Sequence, residues 1–480
     1  MTEEPGVPPH GLPTIDVPPD QAGVLVLGGG LAGAAALLAA AEAGAYAVLL
    51  EKMPTFGGST VRSAGLSAFA GTDEQREQGI ADSVDLLRQD LHTVGGSAAD
   101  PALVDLYCEH QLDTYRWLRG HGTRYGRIHA ASGQSAPRSH PTDTTAMLRR
   151  LFTAAGAHGA RLVRSAPVRR ILREDGRVVG VEVTTAQGRS VVRADAVVIA
   201  TGGFARNRDL LDRWAPAMRK ALLAGGSGNH GDGLAMACHL GAGLVDMPYV
   251  KGTYGIYFEP HPAEDGTGIL AVYKGAVAVN AAGRRFVDES LPYKVLGDAS
   301  LAEAGDSTGD FTWQVFDAAV MARSDDETPI YNFQERERAG LLTVADTLEE
   351  LATAMGTEPG VLEATVGEYN RRIHAGQPDE YGRSRLVGGV GERQPLRTPP
   401  FYAHKSGTVV LATYCGLTVD TAMRVLDVFG EPIERLYAAG EVTGGFHGAG
   451  YMTGTSIGKS AVFGRIAGTR AAAEKSSLEW

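Results

Sequence analysis

The chain is poor in the side chains on which many enzyme classes depend. Its 480 residues hold three cysteines, Cys108, Cys238 and Cys415, far apart and with no CxxC pair. That excludes a redox-active disulfide motif and a cysteine zinc cluster, and it fits a reducing compartment, so the expected location is the cytoplasm. No apolar run reaches the roughly 18 residues that a spanning helix needs. The stretch 31–43 comes nearest, and its small Ala and Gly side chains suit a helix packed on a sheet. No basic start followed by an apolar core and a cleavage site is seen, so no export is expected. Positive charge is outweighed: 45 Lys and Arg against 56 Asp and Glu leave a net charge of −11. This argues against nucleic acid or an anionic membrane as the main partner. There is no Ser/His/Asp nucleophile arrangement, no HExxH and no GxxxxGK[ST] loop, and no metal site is expected.

Glycine is what abounds, with 63 residues. Residues 24–52 explain part of that excess. Val24–Leu27 reads as a buried strand, Gly28-x-Gly30-x-x-Gly33 follows at once, and an Ala/Leu-rich helix leads to a second apolar strand, Ala47–Leu50, closed by Glu51 and Lys52. In such a unit of about thirty residues the first glycine makes the tight turn and the second admits a pyrophosphate to the backbone amides. The third lets the helix pack close to the strand, and the diphosphate lies on the positive end of that helix. A carboxylate at Glu51 accepts from ribose hydroxyls, and no Arg stands there to welcome a 2′-phosphate.

The remaining pattern divides the chain into about two domains. Residues 1–21, with six prolines, read as a flexible tail. Residues 22–244 form the first part of a Rossmann-like unit. In it, 53–72 is extended and ligand-facing, 75–120 helical, 129–145 an irregular polar loop, and 161–174 one strand before a turn at Asp175-Gly176. A buried strand then ends at Ala200-Thr201-Gly202. Residues 245–385 change to short strands, aromatics and helices, read as an inserted α+β cap, and 386–480 return to the first unit.

Several of these motifs, in this order, resemble the flavoproteins of the fumarate reductase / 3-ketosteroid dehydrogenase superfamily. They are the GGGLAG turn with Glu51-Lys52, GGST at 57–60, SAG at 63–65, ATGG, GDG at 231–233, NAAGRRFVDE at 280–289 and LYAAGEVTGGFHG at 436–448. The resemblance implies an α/β fold of the GR2 type, with FAD between a Rossmann-like domain and a cap and hydride exchange at flavin N5. It assigns Gly28, Gly30 and Gly33 to the pyrophosphate, Glu51 and Lys52 to the adenosine side, and Gly57, Gly58, Ser59, Ser63 and Gly65 to the phosphates and the flavin edge. Val168 falls by the adenine, Ala200, Thr201, Gly202 and Asp232 along the cofactor, and Glu441 at the ribityl chain. Ser456 and Ile457 open the last helix, whose amides stabilise negative charge at flavin N1/O2. Covalent members attach the flavin through a His in the segment matching 57–65, and there is none here; FAD is expected to be non-covalent.

Within this superfamily, dicarboxylate enzymes place an Arg after RFxxE, another after the HG turn and a His before TxGG. Here those positions fall on Tyr293, Tyr451 and Ala412, which leaves a dianion without counter-charge. Tyr451-x-Thr453 instead resembles the ketosteroid dehydrogenases that act at the C4–C5 bond. Tyr451 is the candidate base for the proton next to a ketone, Thr453 its relay, and Tyr293 the donor to the ketone oxygen. A phenol titrates near 10, so Tyr451 must be depressed or pass its proton on. The expected partners are an apolar ketone or enone, of steroid-like size among the options, and an external electron acceptor. Rival readings are an ene-reductase, a tailoring oxidase of secondary metabolism, and a flavin-holding module without turnover. Lesser candidates are His447, Arg138, His140, His230, Tyr249, Tyr254, Tyr257 and Phe258; Lys294, beside Tyr293, would either depress its pKa or face water, and water is expected.

Overall fold

Apolar runs with no polar face are satisfied only in a sheet covered on both sides, and the computed structural model puts them there. It describes residues 6–474 except 187, 258–266, 306–309, 327 and 390. Strand Gln21–Leu27 lies inside an eight-stranded sheet, parallel to Ala47–Leu50 on one side and to Gly188–Ile199 on the other. Arg161–Val163 and Pro432–Ala438 extend it, also in parallel. Helix Leu31–Glu42 joins the first two strands and packs along the last helix, Thr455–Ala471. A Cβ on Gly464 or Gly468 would stand 2.4 or 2.1 Å from the carbonyl oxygens of Ala32 and Ala36. The two backbones therefore touch, which glycine permits and any larger residue prevents.

A second sheet, largely antiparallel, has Phe401–Val410 at its centre between Thr253–Tyr257 and Phe311–Asp317. Its core is separate, built on Val277, Val279, Val315, Phe316, Leu351 and Leu362 among others. The RFVDE motif anchors it. Glu289 accepts from Arg285 at 2.8 and 2.6 Å and from Arg383 at 2.9 Å, and Arg285 also reaches Asp379 at 2.7 Å. All four side chains are buried.

Four readings of the sequence are corrected. Strand Phe401–Val410 pairs with Phe311–Asp317, and Leu222–Leu223 joins its far end. The second sheet thus draws on residues 222–410 rather than 245–385, because an apolar strand carries no mark of which sheet it enters. Residues 6–20 are docked rather than flexible: Val7 exchanges backbone bonds with Phe56, Ile15 donates to Leu162, and Pro13 accepts from Leu162. The prolines leave few donors in this stretch, and these three anchors hold it against strands and loops of the first sheet. Residues 161–174 break into two strands at Ser165, whose φ is +51°. The loop 129–145 contains a short strand, Ser139–Pro141, paired with Leu66–Ala68.

Candidate active site

A cleft of about 400 Å³ is lined by residues of both sheets. At one end stands the glycine turn. Gly28 has φ +108°, and a Cβ there would lie 2.4 Å from the Ala200 carbonyl oxygen. Gly30 begins the helix without a side chain of its own to cap it, and the Leu31 amide donates to Thr60 Oγ1 at 3.0 Å. Glu51 receives the Gly29 amide at 2.7 Å and the Met53 amide at 2.8 Å. Burial raises its pKa, and those amides oppose the rise. Lys52 pairs with Asp232 at 2.5 Å across the same wall.

Gly28, Gly30, Glu51, Lys52, Gly58, Ser59, Ser63 and Val168 all line the cleft, as do Ala200, Thr201, Gly202, Asp232, Glu441, Ser456 and Ile457. Gly33, Gly57 and Gly65 do not. A Cβ on Gly33 would lie 1.9 Å from the Gly28 carbonyl, one on Gly65 2.2 Å from that of Thr142, and Gly57 donates to Gly29. These three shape the backbone under the cleft instead of facing a ligand. Further along, Glu441 is held by Asn229 at 2.9 Å and the Thr413 amide at 3.0 Å; burial raises its pKa, against those donors. A glycine-walled, elongated cleft running from a helix N-terminus past a fixed carboxylate fits FAD.

The other end is aromatic. Tyr293, Tyr451 and Thr453 come together there, with Tyr414, His447 and Ala412. Tyr451 stacks on Tyr414 at 4.6 Å between centroids and meets Tyr293 edge-on at 6.1 Å. Burial raises the Tyr451 pKa, while the Ser456 hydroxyl, the amides of Ser456 and Gly454 and the Tyr293 phenol favour phenolate. Burial, with Tyr451 and Tyr414 alongside, drives Tyr293 well above the usual phenol range. Neither phenol is depressed, so both are protonated in the resting site. Thr453 Oγ1 is buried, and the phenol its hydroxyl faces is Tyr293 rather than Tyr451. His447 holds Thr455 through Nε2 at 3.0 Å, its Nδ1 is buried with no hydrogen-bond partner among the described residues, and burial keeps it neutral.

Three residues at this site lack a sequence signal. Tyr414 adopts φ +59°, a left-handed conformation costly for a bulky residue, and it places its ring under Tyr451. Lys294 is 4 % exposed, so it does not face water. Arg336 lines the cleft from the second sheet's side, with no hydrogen bond or ion pair to its side chain among the described residues and its Nε buried. In FQERERAG it reads as one charge on a solvated helix.

The lesser candidates disperse. Arg138 is fully buried between Asp82 at 2.7 Å and Asp90 at 2.5 Å. His140 bonds Thr72 at 2.7 Å, and neither residue lines the cleft. His230 and Tyr249 are exposed, Tyr257 is absent from the cleft wall and Tyr254 is part of it. Phe258 lies outside the described residues.

Residues 23–457 match the family described as FAD binding domain. The chain is a member of this flavoprotein family. Over 475 residues the flavoprotein is 31% identical to a fumarate reductase (cytochrome) of Shewanella frigidimarina, spanning 95% of this chain and 78% of the relative. A urocanate reductase of Eggerthella lenta is 32% identical over 468 residues, 94% of this chain and 74% of that one. The solved 3-ketosteroid-Δ4-(5α)-dehydrogenase of Rhodococcus jostii RHA1, in complex with 4-androstene-3,17-dione, superimposes with a TM-score of 0.74 at 27% identity, covering 94% and 97% of the two chains. The flavoprotein is thus an FAD-dependent oxidoreductase of the superfamily that reduces or forms carbon–carbon double bonds. Among the described residues no helix is long and apolar enough to cross a membrane.

Proposed function

We propose that this flavoprotein desaturates, and in reverse saturates, the bond next to a ketone in an apolar, steroid-sized substrate. The observation that carries this is the cluster of Tyr293, Tyr414 and Tyr451 at the cleft's end, where the resemblance predicts arginines and a histidine for a dicarboxylate enzyme. The glycine turn, Glu51, Lys52, Ser59, Glu441 and the start of the last helix would hold FAD, which would supply the hydride acceptor. Tyr293, kept protonated by burial, donates to the ketone oxygen and so acidifies the neighbouring carbon. Tyr451 takes the proton released there and passes its own on. The apolar walls, Ile256, Ile269, Leu270 and Ile330, exclude water and favour an uncharged guest. Electrons leave to an external acceptor. With three free cysteines, we place the protein in the cytoplasm.

The test is anaerobic mixing of oxidised enzyme with saturated ketones of increasing size. An apolar ketone is expected to bleach the flavin and succinate to leave it oxidised; bleaching by succinate overturns the reading. Because 57–65 offers no histidine, acid precipitation is expected to release all the flavin into the supernatant, and colour retained in the pellet would mean a covalent link.

Two observations favour a second reading. Protonated phenols suit donation to a double bond better than proton removal, and Arg336 is a cation without a partner among the described residues. Both fit an ene-reductase acting on an enone that carries one acidic group. Photoreduced enzyme reoxidised by a carboxylate-bearing enone, with oxidised enzyme left unbleached by its saturated form, would select this reading.

A further inference from the structure

Lys294 is the second residue of helix Tyr293–Glu303, a position from which a lysine ordinarily reaches water. Here the side chain turns inward and is 4 % exposed. Its Nζ donates to Thr253 Oγ1 at 2.6 Å and lies 3.3 Å from the Lys251 carbonyl oxygen. It stands 4.7, 5.2 and 5.5 Å from the ring centroids of Tyr414, Tyr293 and Tyr451. Thr253 and all three tyrosines line the cleft, so this amine sits directly behind its aromatic wall.

The carboxylates around it are engaged elsewhere. Asp298, on the same helix, is paired with Lys251 at 2.5 Å, and Glu441 is held by Asn229 and Thr413. His447 is kept neutral, and Lys459, the other buried amine lining the cleft, donates to the Thr443 carbonyl oxygen at 2.6 Å and is brought down to about 8 by burial. Among the described residues Lys294 has no ion pair. A buried ammonium without one is costly, which points to a group that spends part of its time uncharged.

We infer that Lys294 is the proton relay behind the tyrosines, with Thr253 Oγ1 as its bridge to the cleft. This rests on the ketone reading above. In desaturation the substrate C–H proton passes to Tyr451, whose phenolic proton moves to the neutral Lys294 amine; bound FAD would supply the acceptor for the hydride. In saturation the ammonium returns that proton. The half-exposed Lys251–Asp298 pair is the exit to solvent. Burial brings Lys294 down to about 7, against Asp298 and Glu441, which places the exchange at neutral pH.

The experiment follows the proton alone. Holoenzyme is incubated in D₂O with 5α-androstane-3,17-dione, and loss of the hydrogens next to the ring-A ketone is read by NMR. Wild type is expected to exchange them at a rate rising with pH through about 7, where the amine becomes free. Lys294→Met is expected to lose about a hundredfold and the pH dependence with it. Exchange by Lys294→Met at the wild-type rate and pH profile overturns the relay and leaves the ketone reading standing. If wild type exchanges nothing, the ketone reading fails, and a substrate-free measurement judges the lysine. Its folded pKa lies below the unfolded one, so the unfolded chain binds the extra proton, and melting temperature should rise with pH from about 7 to about 10 more steeply in wild type than in Lys294→Met, which keeps only the contribution of the buried Lys459, brought down to about 8. Equal pH dependence in Lys294→Met overturns the relay.

Discussion

Tyr451→Phe is expected to slow anaerobic flavin reduction by a bleaching ketone about 10²–10⁴-fold while the protein keeps its FAD. That loss is about 3–5 kcal/mol of barrier. The ring is what packs: it stacks on Tyr414 at 4.6 Å and meets Tyr293 at 6.1 Å, and phenylalanine preserves both contacts. Only the hydroxyl goes, leaving the amides of Gly454 and Ser456 and the Ser456 hydroxyl without the oxygen they face. A lost hydrogen bond of this kind costs about 0.5–1.5 kcal/mol of stability, so the kinetic effect should far exceed the thermal one. Stopped-flow reduction and a melting curve on the same sample separate the two. A rate within a few-fold of wild type would reduce Tyr451 to a wall of the pocket.

Glu289→Leu should cost about 3–5 kcal/mol, because it leaves buried guanidinium groups without their counter-ion. Arg285 retains Asp379 at 2.7 Å, but Arg383 loses its ion pair at 2.9 Å. The expected readout is earlier urea unfolding of the second sheet, followed by the fluorescence of Trp313, which lies in that core. Adding Arg383→Met should recover much of the loss, since removing a whole buried pair is far cheaper than removing half of it. The pH dependence carries a sign. Burial raises the Glu289 pKa, the Arg285 and Arg383 guanidinium groups overcome that, and the folded value lies below the ordinary 4.5. Its contribution is therefore present above about 4.5 and is lost as pH falls through the depressed value. Glu289→Leu should unfold with less acid dependence in that window. A variant unfolding at the wild-type urea concentration would show that the network contributes nothing net.

Arg285 and Glu289 stand out in the chain as part of NAAGRRFVDE, and four residues apart they read as a local pair. Asp379 and Arg383, which complete the cluster, come about ninety residues later in a stretch with no motif. Tyr293, Tyr451 and Thr453 are likewise legible one by one, each at a fixed offset from a recognisable turn. Their meeting is not, since Tyr293 comes from a helix beside the second sheet and Tyr451 from the loop before the last helix. Lys294 misleads for a plain reason: next to Tyr293 on a helix whose apolar residues gather on no one face, nothing local says which side the fold covers.

Local backbone demands were decided by sequence alone. A strand running into Gly28, Gly30 and Gly33, with an acid closing the next strand, has few solutions other than a dinucleotide turn, because the constraint lies within thirty residues. Tertiary structure decided what depends on burial from a distance: the phenols kept protonated, an amine set behind three rings, Arg336 left without a partner among the described residues, and Phe401–Val410 claimed by the second sheet. A side chain's charge state and company are properties of the space around it, and that space is assembled from segments hundreds of residues apart.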